Sequence, residues 1–129
     1  MRKYLIIVLT LVVFASCKKD AGTASAPTRW MIGRWELRSM SGGFEGTILP
    51  SGNGNIYQFY GNNTYKKYTA SQLTAQGSFR VASLSEQNFY MIYFDKDSTG
   101  TQLSYQNGML TLGTSVADGP SWTYQKISN

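Results

Sequence analysis

Gly33-Arg34-Trp35-Glu36-Leu37-Arg38-Ser39 is the stretch whose reading decides the fold. Trp35, Leu37 and Ser39 fall on one side of an extended segment, and Arg34, Glu36 and Arg38 fall on the other. This period of two describes a strand with one covered face and one wet face. Gly33, two residues before the tryptophan, is expected to let the backbone pack closely beside the large ring.

Working outward from this strand, the chain downstream reads as a series of further short strands. Phe44 to Asn55 carries glycines and a proline without a clear period, and reads as a long loop of the kind that is often functional. Ile56 to Tyr60 is aromatic and β-branched, and Gly61-Asn62-Asn63 turns it into Thr64 to Thr69, because Gly and Asn accept positive φ cheaply. After a polar connection, Gln76 to Ala82 alternates Phe79 and Val81 with Ser78 and Arg80. Phe89 to Asp95 (FYMIYFD) is apolar on both faces. Thr101 to Gln106 alternates again, Asn107-Gly108 is a strong two-residue hairpin signal, and Met109 to Gly113 answers it. Trp122 to Ile127 is the last strand.

Eight short strands with hairpin-length connections and no helical period make an all-β, antiparallel domain. Such a meander lies as a sandwich or closes as an up-and-down barrel, and closure removes the two edges that an aromatic-rich sheet would otherwise expose.

Upstream of Gly33 the composition changes. Met1-Arg2-Lys3 is a basic head, Leu5 to Phe14 is apolar apart from Thr10, and Ala15-Ser16-Cys17 ends the run. About ten apolar residues suit a secretory signal and are too few to span a bilayer. Val13-Phe14-Ala15-Ser16-Cys17 resembles a lipobox, which implies a lipoprotein signal peptide over residues 1–16 and a lipidated Cys17. An ordinary signal cut nearby would instead leave the chain's single cysteine as a stray thiol in an oxidising compartment. Residues 17–28 then form the lipidated cysteine and a flexible tether (KKDAGTASAPT after Cys17), with a reach of roughly 18 Å. Residues 29–129 form the folded domain, in which Arg29 to Ile32 is expected to lay one helical turn across the end of the sheet. Removing the leader takes away Arg2 and Lys3, so the formal charge falls from +5 to +3. That balance, spread along strands, does not argue for a nucleic-acid partner.

The placement of Gly33-x-Trp35 on the first of eight strands resembles the G-x-W signature of lipocalins. Phe59…Gly61-Asn62-Asn63-Thr64-Tyr65, Gly77-Ser78-Phe79 and Trp122-Thr123-Tyr124-Gln125-Lys126-Ile127 are similar to small lipocalin-like (calycin) lipoproteins of the Bacteroidota type. The resemblance covers about Arg29 to Ile127. It implies an eight-stranded antiparallel up-and-down barrel in which a basic residue of the last strand, here Lys126, lies over Trp35. Gly33, Trp35 and Lys126 are then a structural signature.

The chain has no histidine, which removes the usual general base, histidine metal sites and Ser-His-Asp or Cys-His nucleophiles. No enzyme activity and no cofactor are expected. Asp95-Lys96-Asp97-Ser98-Thr99-Gly100 echoes the start of a calcium loop, but Gln106 in the twelfth place has no bidentate carboxylate to give, so no metal site is expected. Tyr57, Phe59, Phe79, Met91, Tyr93, Leu103 and Tyr105 are the candidate ligand-binding set. Read blandly, they are the core of a small barrel filled by its own side chains. Read functionally, some line a pocket with tyrosine hydroxyls as polar handles, at the end away from Trp35 because Trp30 and Trp35 plug the first end. The expectation is a monomeric, membrane-anchored binding module of the cell envelope, at the outer membrane, for a small hydrophobic or aromatic-stacking ligand. The alternative is a non-catalytic interaction or inhibitor protein with a filled barrel, acting through loops such as Phe44 to Asn55.

Overall fold

A computed structural model describes residues 26–42, 45–83, 89–113 and 119–129. Residues 1–25, which include Cys17 and the stretches expected to form a signal peptide and a tether, lie outside the described residues. The domain is all-β apart from one turn of helix, α1 (Ala26–Arg29). Its strands are β1 (Gly33–Ser41), β2 (Thr47–Ile48), β3 (Ile56–Phe59), β4 (Thr64–Thr69), β5 (Gln72–Ser83), β6 (Phe89–Phe94), β7 (Thr101–Gln106), β8 (Met109–Gly113) and β9 (Ser121–Ser128). Each pairs antiparallel with its neighbour in the order β1-β3-β4-β5-β6-β7-β8-β9, and β9 returns to β1. This is a closed eight-stranded up-and-down barrel, an architecture consistent with the lipocalin-like expectation. The two-residue β2 is an addition to the eight, paired with β1 at Ser39 and Met40 on the edge that β3 takes lower down at Gly33 to Glu36.

Turn chemistry explains the meander. Asn107 (φ 51°) and Gly108 (φ 77°) both adopt the left-handed region, as a two-residue hairpin with the right twist requires. Asn63 (φ 61°) does so between β3 and β4, and Asn62 accepts from the Thr64 N–H and hydroxyl to hold that turn. The connection read as polar coil after Thr69 is instead the tight pair Ala70-Ser71, both at positive φ, and β5 starts four residues before Gln76. Positive φ is uncommon for residues that carry a Cβ, as Ala70 and Ser71 do, so the turn is held from outside. The Ser71 N–H donates to the Gly54 carbonyl and the Ala70 N–H donates to Asn55 Oδ1. Gly54 and Asn55 therefore pin the β4–β5 hairpin.

Three further readings change. The helical turn begins at Ala26, not Arg29, and Thr28 is buried, so the folded domain begins before Arg29. The loop from Phe44 to Asn55 contains β2 and folds back on the barrel wall. Glu36, expected on the wet face of β1, is buried beneath that loop. Its carboxylate accepts from the Gly52 and Gly54 N–H groups at 3.0 and 3.3 Å, and Arg38 Nη1 lies 2.8 Å from Oε2, although no N–H of that nitrogen points squarely at an acceptor. Burial pushes the Glu36 carboxyl up, but the loop amides and the Arg38 guanidinium outweigh it and hold the group below the ordinary carboxylate range.

The core fills the lower half of the barrel, the end where β1 begins. Trp35, Met31, Phe59, Ile92, Leu103 and Leu110 are fully buried there. The Trp35 indole N–H donates to the Met31 carbonyl at 2.6 Å, which ties the segment after α1 across the barrel end. Trp30 stacks on Tyr105 with ring centres 4.7 Å apart, and Tyr105 meets Trp35 edge-on at 6.0 Å. This end is plugged.

Candidate functional site: a half-filled barrel

Above the plug the interior is not filled. A cavity of about 430 Å³ occupies the opposite end of the barrel and opens there, within the roughly 300–1,000 Å³ range of small-molecule sites. Leu37, Ile56, Tyr57, Phe94, Leu112, Trp122 and Tyr124 supply its apolar wall, and Asn55, Lys67, Thr69 and Thr101 bring polar groups toward the mouth.

The register shows why space remains. On β4 the inward residues are Tyr65 and Lys67, opposite Gly77 and Ala75 of β5. The upper half of β5 thus contributes almost no volume to the interior. β5 also pairs with β4 over Gln72–Ser78 and with β6 over Phe79–Ser83, so its two neighbours are staggered along its length. Where Gly77 has no side chain, the Asp95 carboxylate sits, accepting from the Ser78 N–H at 2.9 Å and from the Tyr65 hydroxyl at 3.1 Å. Asp97 accepts from the N–H groups of Thr99 and Gly100 within its own turn, while Asp95 is spent on β4 and β5.

The cavity floor is aromatic. Tyr57 stacks on Phe59 and Phe94 with ring centres 5.5 and 5.6 Å away, and meets Tyr124 edge-on at 5.5 Å. Phe59 packs edge-on against Phe79 beneath them, at 5.1 Å. Burial, with a smaller effect of the neighbouring Tyr65, pushes the Tyr57 phenol up to about 12. Burial, and then Tyr57 itself, raises the Tyr124 phenol further. Both stay protonated donors across the physiological range. Neither hydroxyl bonds to another described residue, so both are available to whatever enters.

The seven residues singled out from the sequence scatter. Tyr57 lines the cavity. Phe59, Phe79 and Leu103 are packed core beneath it. Tyr105 lies at the plugged end and is 38% exposed. Met91 and Tyr93 are a correction, because they lie on the outer surface. Val81 pairs with Ile92 facing inward, which fixes Tyr90, Ile92 and Phe94 as the interior face of β6 and turns the alternate residues out. Tyr93 there lies under the Arg80 guanidinium at 3.7 Å, and a side chain at Gly100 would strike its ring and the Met91 methyl. Outer-face partners explain why this strand is apolar on both sides.

Gly33, Trp35 and Lys126 come together at the seam. The space beside Gly33 (φ 127°) is taken by the Lys126 stem and the Ser128 carbonyl, not by the indole ring, which corrects the reason expected for this glycine. Tyr57 is the one lining residue that the sequence assigned to a ligand site, and Phe94, Leu112, Trp122, Tyr124 and Lys67 are among those it missed. A signal existed for two of them, since Trp122 and Tyr124 share the period of two with Lys126 and therefore its inward face.

Comparison with protein families, with curated proteins and with solved structures finds no match to this chain.

Proposed function

We propose that the domain is a binding module that holds a small molecule with an apolar or aromatic body in the open end of the barrel. One observation carries this reading: a cavity of about 430 Å³ stands above a fully packed floor, walled by Tyr57, Phe94, Trp122 and Tyr124, with two phenol hydroxyls left unbonded among the described residues. A barrel that served only as a scaffold gains stability by closing such a void, since unfilled volume forfeits packing contacts. Binding without turnover fits a sequence that has no histidine. The lipobox-like Val13 to Cys17 supports anchoring through a lipid on Cys17, with the module displayed as a monomer at the cell envelope, on the outer membrane, within a lipocalin-like lipoprotein of Bacteroidota type. Replacing Cys17 by Ala should then abolish incorporation of labelled palmitate.

The test of binding is thermal unfolding of the full chain against a panel of lipids, aromatic acids and glycans. A ligand at 100 times its Kd stabilises the fold by about 2.7 kcal/mol. Leu112→Trp, which pushes a ring into the cavity, should remove that shift while the barrel still folds. A panel without a single shift would remove the reading.

A second reading rests on Ile48, which is 87% exposed on the short strand β2. An apolar side chain held out on a loop suits docking to an envelope protein or inhibition of one. Ile48→Ser should weaken such an association and leave small-molecule shifts unchanged.

A further inference from the structure

Lys67 stands out within the cavity. Its register opposite Tyr57 and Ala75 places it on the inward face of β4, while Lys66 beside it faces out. The ammonium lies 5.3 Å from the centre of the Tyr57 ring, which is a contact with a π-face and not with a counter-ion. No carboxylate among the described residues lies within ion-pair distance of it, and no carboxylate lines the cavity. Lys67 is the single formally charged side chain in that lining. An apolar chamber with one cation and no anion is electrostatically unbalanced, and low surrounding polarity strengthens the attraction for an incoming negative charge.

We infer that the cavity takes an amphipathic anion, a molecule with an apolar body and one carboxylate or sulfonate group, whose charge pairs with Lys67 near the mouth. This inference rests on the binding-module reading. The body lies against Tyr57, Phe94 and Trp122, and the Tyr57 and Tyr124 hydroxyls donate to oxygens that the head group or the chain presents. Both phenols are held protonated by burial, so they add donors without adding a competing negative charge. The positive group also disfavours cationic amphiphiles of the same size, so the site discriminates by head group as well as by fit.

Titration of the full chain at pH 7.5 with decanoate, decanol and decylammonium, and with naphthalene-2-carboxylate beside naphthalene-2-methanol, separates body from charge. Each anion should bind more tightly than its neutral partner, and decylammonium should bind least. Lys67→Met keeps the stem and removes the charge. It should weaken the anions by roughly tenfold to a hundredfold, the worth of one charge-assisted hydrogen bond, and leave the alcohols nearly unchanged. Lys67→Arg should restore most of the loss, and Lys96→Met, an exposed turn lysine, should change nothing. Alcohols binding as well as anions, or Lys67→Met affecting all probes alike, overturns the charge pairing and leaves the binding module standing. Failure of all five probes to bind removes the cavity reading itself, and the inference with it.

Discussion

The Lys126 ammonium lies 5.6 Å from the centre of the Trp35 ring, on the seam where the first and last barrel strands pair and these two residues are register partners. The contact therefore joins the two ends of the folded chain. Trp35 is fully buried, with its N–H bonded to Met31, so Trp35→Ala should cost about 3–5 kcal/mol. Lys126→Ala should cost on the order of 0.5–1 kcal/mol. Denaturant unfolding of both single variants and the double variant should show coupling between them, and strict additivity would mean that the ammonium contributes nothing through the ring.

Glu36 and the 50–55 loop make a second linkage. Its carboxyl is held below the ordinary range in the folded state, so the stability it contributes is complete above the unfolded value near 4.5 and is lost as pH falls through the lower folded value. Glu36→Gln should cost about 1.5–3 kcal/mol at pH 7, because the Gly52 and Gly54 N–H groups lose a charged acceptor and Arg38 loses its ion-pair partner. The gap between variant and parent should narrow in acid. A gap independent of pH from 7 to 3 would show that the charge does not matter.

Alkaline pH should act through the cavity. Tyr57 and Tyr124 have phenols raised by burial, so the associated stability is intact below pH 10 and declines as pH rises toward the folded values. By pH 12 the loss through Tyr57 should be roughly 1–3 kcal/mol. Tyr57→Phe removes this component, so its unfolding midpoint should fall less between pH 9 and 12 than that of the parent. Equal declines would place the phenol in water.

Gly77 leaves room for the Asp95 carboxylate, and Ala at that position puts a methyl group where the carboxylate now lies. Gly77→Ala should break the bonds to Ser78 and Tyr65 and cost about 1–3 kcal/mol. Once Asp95→Ala has removed the carboxylate, the same change should be nearly neutral. Calorimetry of the four proteins reads the difference directly.

Local chemistry carried most of the architecture. Alternation from Gly33 to Ser39, the Asn107-Gly108 pair and the Asn-rich turn before Thr64 each constrain a few neighbouring residues, and short connections then leave antiparallel pairing as the outcome. Those readings depend on backbone preference and period alone. The pairing of Trp35 with Lys126 was reachable only through a resemblance, because the partners are separated by nearly the whole domain.

Which face of each residue is covered was a tertiary decision. Glu36 has the parity of a surface residue and is buried because a loop folds over it. Met91 and Tyr93 look like core and lie outside, since Arg80 and the Gly100 backbone give them an outer partner. A strand that is apolar on both faces holds no parity signal of its own. The cavity was beyond any single segment, because it is a difference in volume between what the wall supplies and what closure encloses. Ala75 and Gly77 opposite Lys67 and Tyr65 create that deficit, and only the register of β4 on β5 brings them face to face.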